Sequence, residues 1–160
     1  MILTLRVDER LVHGQVVTSW TKNLSVTHIV VANNQAAEDK IQSMTLKMAV
    51  PSGIKSIIAT IEDAAETLND PRAEALKIFV VCNCPQDALS LVKLVPSIQD
   101  VNIANYGIVI KPEVKDKTAF TKRVFCDEDD LQCVRELGGM VEELYSQTLP
   151  TSAKKSLKQI

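Results

Sequence analysis

Short apolar stretches rich in β-branched residues alternate along the chain with longer stretches of mixed polarity. Residues 2–7, 28–32, 54–59, 78–82, 101–104 and 123–126 are of the first kind, and residues 15–22, 36–49, 61–68, 85–95 and 127–137 of the second. Ile29-Val30-Val31-Ala32 and Ile78-Phe79-Val80-Val81-Cys82 are apolar at consecutive positions. Such strands are buried on both faces, as in a parallel sheet covered by helices. Within 36–49, Ile41, Met44, Met48 and, one step aside, Thr45 share one helical face at a 3.6-residue period. The alternation predicts an α/β fold of three layers, an open and mostly parallel sheet flanked by helices.

The boundaries have local causes. Asp127 is a candidate N-cap, and Glu128, Asp129 and Asp130 follow in the first turn, where acids favour the helix dipole. Pro85 suits a first helical turn. Gly138-Gly139 stops the helix that runs through Leu137. Periodicity leaves residues 140–145 open between a helix and a last strand. The lysine-containing tail, 151–160, has one apolar face and is expected to form a tail or a short surface helix. The charged, proline-containing stretch 111–117 is the expected mobile loop.

A length of 160 residues predicts one domain over 1–160, long enough to bury a core without staples. Only 4% of residues are aromatic, so that core must be aliphatic. A formal net charge of −2 argues against a nucleic-acid partner. Cys82, Cys84, Cys126 and Cys133 form no CxxC pair and read as buried, reduced thiols of a cytoplasmic protein. Arg6, Asp8, Glu9 and Arg10 crowd the place where a signal peptide would be apolar. No stretch approaches the roughly 18 apolar residues of a membrane span.

Several chemistries lack their residues. The five glycines cannot make GxGxxG or GxxxxGK[ST], which removes the usual dinucleotide and nucleotide-phosphate loops despite the α/β pattern. Two histidines, His13 and His28, form no HExxH, and Cys82 and Cys84 have no second ligand pair nearby, so no metal site is expected. No GxSxG elbow occurs.

The first strand-to-helix turn reads Asp8-Glu9-Arg10-Leu11-Val12-His13-Gly14-Gln15. In open α/β sheets ligands bind outside the carboxyl ends of the strands, and this turn lies there. Free N–H groups at the next helix N-terminus attract anions. Arg10 can offer a planar fork to phosphoryl oxygens. Gly14 lets the backbone come close to whatever sits on the imidazole, and Asp8 can hold one ring nitrogen as N–H, leaving the other as a nucleophile. The composite suits a histidine that accepts and gives away a phosphoryl group. The alternatives are a structural loop histidine at 13, a solvated charge at 10 and an ordinary turn or cap residue at 8. His28 opens an apolar strand without charged neighbours and reads as structural.

Residues 6–16, Arg-Val-Asp-Glu-Arg-Leu-Val-His-Gly-Gln-Val, followed by Trp20, closely resemble the signature of the enzyme IIB component of the mannose/fructose/sorbose family of the sugar phosphotransferase system. Val30-Val31-Ala32-Asn33, residues 36–50, Asp100-Val101-Asn102-Ile103 and residues 127–137 resemble further segments of that family, so nearly the whole chain is covered. The resemblance implies a sheet of about seven strands. It implies that His13 takes a phosphoryl group from a IIA component and passes it to a sugar entering through membrane IIC and IID components. Asp8 and Arg10 would then be catalytic, with Arg10, Gly14 and Gln15 around the phosphoryl group and Asn33 and Asn105 on the partner or sugar side. No cofactor is implied. The expected place of work is the cytoplasm, against the inner face of the membrane, and a homodimer stays open. The chain departs from the family pattern at Ala104-Asn105-Tyr106-Gly107-Ile108-Val109, where a glycine pair and a basic loop are usual. A regulatory or scaffold paralogue without transfer, and a flavodoxin-shaped binding module, are the competing readings; an intact Asp8, Arg10 and His13 favours the carrier.

Overall fold

The computed structural model describes residues 1–160. In chain order the strands are β1 (Ile2–Asp8), β2 (His28–Ala32), β3 (Lys55–Ala59), β4 (Ile78–Cys82), β5 (Asp100–Asn105), β6 (Thr118–Thr121), β7 (Val124–Cys126), β8 (Glu143–Ser146) and β9 (Lys155–Ser156). The helices are α1 (Gly14–Leu24), α2 (Asn34–Glu38), α3 (Lys40–Ala49), α4 (Ile61–Asn69), α5 (Pro85–Leu94) and α6 (Glu128–Gly138). Seven strands make one sheet in the order β3-β2-β4-β1-β5-β8-β9. All neighbours are parallel except β9, which runs antiparallel to β8. The expected α/β architecture of a mostly parallel, seven-stranded sheet between helices is therefore the observed one.

Strand periodicity divides the interior into two cores. Along β4, Ile78, Val80 and Cys82 enter the larger core with Ala64 and Leu68 of α4, Leu91 of α5 and Val134 of α6. Phe79 and Val81 enter the smaller one with Val17 and Trp20 of α1 and Leu46 of α3. β1 is central, between β4 and β5. Its Leu5 and Val7 join the larger core, while Thr4, Arg6 and Asp8, although also buried, face the other way. From Thr4 onward the strand thus packs the larger core with Leu5 and Val7 and leaves Thr4, Arg6 and Asp8 for polar contacts.

Three expectations change, and the periodic face of the third helix takes a definite side. The stretch 36–49 is two helices, because Asp39 is extended (φ −106°, ψ 107°) and its carboxylate caps α3 by accepting from the N–H groups of Ile41 and Gln42. The periodic face of α3 is not its core face: Ile41, Met44 and Met48 are exposed, and Leu46 packs inward. The stretch 123–126 does not enter the main sheet; β7 pairs with β6 in a separate antiparallel ribbon. The tail is not a helix. Leu157 is buried and donates its N–H to the Leu144 carbonyl, so the chain extends along β8 as β9 and covers that edge. The stretch 140–145, open in sequence, supplies β8. Asp127 caps α6 as expected, in a reciprocal capping box with Asp130. The stretch 111–117 is irregular, and Lys111 and Lys117 at its two ends are both bonded.

Candidate active site

The turn after β1 is held at several points. Glu9 donates its N–H to the Asn105 carbonyl at 2.8 Å, and Leu11 donates to the Asp8 carbonyl at 2.8 Å. Leu11 and Val12 are buried in the smaller core, which anchors the turn from below. His13 follows in extended conformation as the N-cap residue of α1, and its side chain makes no cap bond. Gly14 starts the helix at φ +48°, and a Cβ there would meet nothing within 4 Å. Its backbone angle, and not any contact a side chain would make, accounts for a glycine.

Asp8 is the hub. Its Oδ1 accepts from the N–H of Arg10 at 3.0 Å and from Asn105 Nδ2 at 3.2 Å. Its Oδ2 accepts from Arg6 Nη2 at 3.1 Å and lies 3.1 Å from His13 Nε2. The carboxylate is 1% exposed while the imidazole is 31% exposed, so the pair runs from the interior to the surface. An ionised carboxylate only accepts, so the neutral imidazole bonded to it carries its proton on Nε2. Nδ1 then holds a lone pair.

Arg6 was not singled out from sequence as a site residue, yet it is 1% exposed and holds Asp8 from behind. Its Nη1 donates to the Thr148 carbonyl at 3.2 Å, which also accepts from Trp20 Nε1 at 2.9 Å. The guanidinium carbon lies 6.0 Å from the centre of the Trp20 ring. Burial pulls the guanidinium below its ordinary value, and Asp8 offsets only part of that fall. The signal for Arg6 was a charge in mid-strand between buried Leu5 and Val7. Such a charge requires a partner, and Asp8, two residues on, shares its face.

The other expected residues divide. Arg10 and Gln15 are exposed beside the turn. Asn33 is buried rather than presented outward: it is 6% exposed, and its Oδ1 caps α2 by accepting from the Ala36 N–H at 2.8 Å. Asn105 is likewise buried rather than presented outward. A register shift between Val7 and Asp8 makes Asn105, not Ala104, the neighbour of Asp8. This bulge brings the amide onto the carboxylate. Asn105 Oδ1 is the one buried side-chain polar atom without a hydrogen-bond partner.

The thiols are poorly placed to act as nucleophiles. Burial raises the Cys82 thiol well above its ordinary value and pushes Cys84 and Cys126 up to about 12. No group of three His, Cys, Asp or Glu residues gathers as a metal site would. A cleft of about 660 Å³ opens near the carboxyl ends of β4 and β5, lined by Asn83, Cys84, Tyr106, Ile110 and Lys111 and by no residue of the turn after β1. Another of about 630 Å³, lined by His28, Lys55 and Ile78, lies at the opposite, amino-terminal ends of the strands, away from His13.

A family model described as "PTS system sorbose subfamily IIB component" matches residues 2–160. A probable phosphotransferase enzyme IIB component of Streptococcus pyogenes serotype M6 is 42% identical, covering 100% of this chain and 99% of the relative. The sorbose-specific EIIB component of Lacticaseibacillus casei is 36% identical, covering 86% of this chain and 81% of the relative. Among solved structures, the IIBSor domain of the sorbose permease of Klebsiella pneumoniae superposes with a TM-score of 0.87 at 26% identity, covering 99% of this chain and 94% of that one. The fold and the matches define a phosphotransferase, a phosphocarrier of a sugar phosphotransferase system. Within that class, the chain belongs to the sorbose subfamily of IIB components. No helix is long and apolar enough to cross a membrane.

Proposed function

We propose that His13 is the phosphoryl carrier and that the group travels on Nδ1. The observation that carries this reading is the 3.1 Å contact of Asp8 Oδ2 with Nε2, which leaves Nδ1 with the lone pair. That lone pair attacks the phosphorus of a phosphohistidine on a IIA component. The donor's N–P bond breaks, its imidazole leaves with the electron pair, and a new N–P bond forms at Nδ1. As the electrons move, His13 gains positive character, and the buried Asp8 carboxylate stabilises it. In the second transfer a sugar hydroxyl oxygen attacks the phosphorus, the Nδ1–P bond breaks, and the hydroxyl proton is lost to the surroundings. Arg10, exposed at the turn, offers its fork to the phosphoryl oxygens, and the first N–H groups of α1 face the same charge. Gly14 and Gln15 border that space.

The partners in this reading are a IIA component, membrane IIC and IID components and the sugar they admit. The work is done in the cytoplasm at the inner face of the membrane. Relatives named for sorbose, mannose and fructose support a hexose. A histidine with one open side must meet its donor and its acceptor in turn, so their footprints overlap at the carboxyl ends of the strands.

The test is phosphorylation with labelled phosphoenolpyruvate, the general phosphotransferase proteins and a cognate IIA. An acid-labile, base-stable label on the wild type that is absent from a folded His13→Ala variant is expected. Label that persists on His13→Ala, or that is carried by a cysteine, overturns the assignment.

A further inference from the structure

Glu9 follows Asp8 in the chain, but its side chain serves a different loop. Its Oε1 accepts from the backbone N–H groups of Gly107 at 3.1 Å, Val109 at 3.1 Å and Ile110 at 3.0 Å. Its Oε2 accepts from Ile108 at 3.2 Å and Val109 at 3.1 Å. Four consecutive amides thus converge on one carboxylate, an anion-holding nest filled by the chain's own anion. Lys117 secures the same segment through its carbonyls, donating Nζ to Gly107 O at 2.8 Å and Ile110 O at 3.1 Å. Gly107 opens the nest at φ +89°, and a Cβ there would sit 1.9 Å from the Phe125 carbonyl oxygen. No other residue fits. The segment lies outside the strands and helices, so these ions hold what no ladder does.

The clamp bears on the candidate site through Asn105, two residues before the nest. The backbone N–H of Glu9 donates to the Asn105 carbonyl at 2.8 Å, so Glu9 grips the exit of β5 with main chain and side chain together. Asn105 bonds Asp8 Oδ1 at 3.2 Å while its own Oδ1 stays buried and unpartnered. The bond from its Nδ2 to the Asp8 carboxylate fixes which way the amide points. Exchanging O and N would put two acceptors face to face and lose the bond to Asp8.

We infer that Glu9 is a positioning residue of the carrier. Its carboxylate in the 107–110 nest pins the exit of β5 against the exit of β1, keeping Asn105 on Asp8 and Asp8 on His13 Nε2. This rests on the reading of His13 as carrier. Ile110 and Lys111, at the end of the nest, line the adjoining cleft, so the same clamp sets one of its walls.

The test compares the full-length wild type with Glu9→Ala and Glu9→Gln. Backbone exchange at 107–110 and the imidazole ¹⁵N shifts of His13 are read by NMR, and phosphoryl uptake from phospho-IIA is read in parallel. In Glu9→Ala, exchange at 107–110 is expected to rise about tenfold or more, since charge-assisted bonds are lost. His13 is expected to lose its single Nε2–H tautomer, and uptake to slow roughly tenfold. Added formate is expected to refill the nest and reverse all three changes in part, without effect on the wild type. Glu9→Gln keeps the shape but turns an amide against donors, so it is expected to fall between the two; it decides the matter if Glu9→Ala does not fold. Unchanged exchange at 107–110 overturns the clamp. Raised exchange with an unchanged His13 tautomer and unchanged uptake overturns the positioning role. If the wild type takes no label on His13, the carrier reading fails, while exchange and tautomer still judge Glu9.

Discussion

Two buried aspartates invite comparison. Asp8 is 1% exposed and Asp130 is 0% exposed, and each gathers several donors. Asp130 Oδ1 accepts from Gln86 Nε2 at 2.8 Å and Tyr106 OH at 2.9 Å, with Lys111 Nζ at 3.5 Å; its Oδ2 accepts from the Asp127 N–H at 3.0 Å. Every one of these partners gives a proton and ends there. The Tyr106 hydroxyl is itself buried, and burial together with Asp130 raises its pKa, so it stays neutral. Around Asp8 the inventory is similar except for one member. His13 gives a proton from one nitrogen and keeps a lone pair on the other, and it reaches solvent. A buried, well-bonded carboxylate is therefore no mark of function by itself. Exposure does not separate the two, since Lys111 beside Asp130 is 34% exposed and His13 beside Asp8 31%; what separates them is a partner that keeps a lone pair on a second nitrogen.

Four substitutions break or sharpen this contrast. Asp8→Asn keeps the volume but turns an N–H₂ toward its donors, so His13 is expected to lose its proton arrangement. Transfer is expected to fall by up to about ten-thousandfold, as where a triad aspartate is replaced by asparagine; single-turnover uptake of label measures it. A loss under tenfold would mean that Asp8 does not set the state of His13. Asp130→Ala is expected to act on stability instead, at about 3 kcal/mol, because it leaves Tyr106, Gln86 and Lys111 without their shared acceptor. Urea midpoints read this, and the protein that remains folded should transfer at the wild-type rate. Slow transfer by that folded fraction would erase the distinction between the two clusters.

Smaller effects are expected at the rim. Arg10→Lys keeps the charge but loses the fork, and uptake should slow about tenfold with unchanged stability. An unchanged rate would make Arg10 a distant charge at most. The smallest effect is expected at Asp127. Partial burial pushes its carboxyl up, but the bonds from Lys111 and from the Asp130 N–H pull it further down, to about 2. A carboxyl depressed in the folded state stabilises above its unfolded value, near 4, and that contribution fades as pH falls toward 2. Urea midpoints for the wild type and Asp127→Asn should therefore differ at pH 6 and converge near pH 2. Parallel curves across that range would show that the Lys111 pair contributes nothing.

The parts of the site that sequence made legible are the parts that are local in sequence. Asp8 and His13 lie in one turn, and the spacing suffices to bring them together. The contact of Asn105 with Asp8 was not legible, because it depends on a bulge that matches the two across 97 residues. The amide nest was invisible for a related reason. Backbone N–H groups carry no residue identity, so four donors at 107–110 leave no trace in the letters. The periodicity of α3 was real, but a period gives an angle around the helix and not the side that meets the core. Asp39 was read as part of a helix because propensity says little about a single extended residue. The helical alternative for the tail failed because Leu157 bonds to Leu144 on the neighbouring strand, a pairing that periodicity within 151–160 does not show.

The Thr148 carbonyl, which accepts from both Arg6 and Trp20, has a consequence for the timing of biogenesis. Its two donors stand 142 and 128 residues earlier in the chain. At ordinary rates of synthesis, roughly 7–28 s pass between the making of Arg6 and that of Thr148. During that interval a nascent chain can hold β1 and its turn but not the acceptor that caps Arg6. The guanidinium behind Asp8 therefore receives its last bond only after almost all of this sequence has been translated, and the complete arrangement around Asp8 should form late, as the final strands of the sheet settle rather than when the first turn emerges from the ribosome.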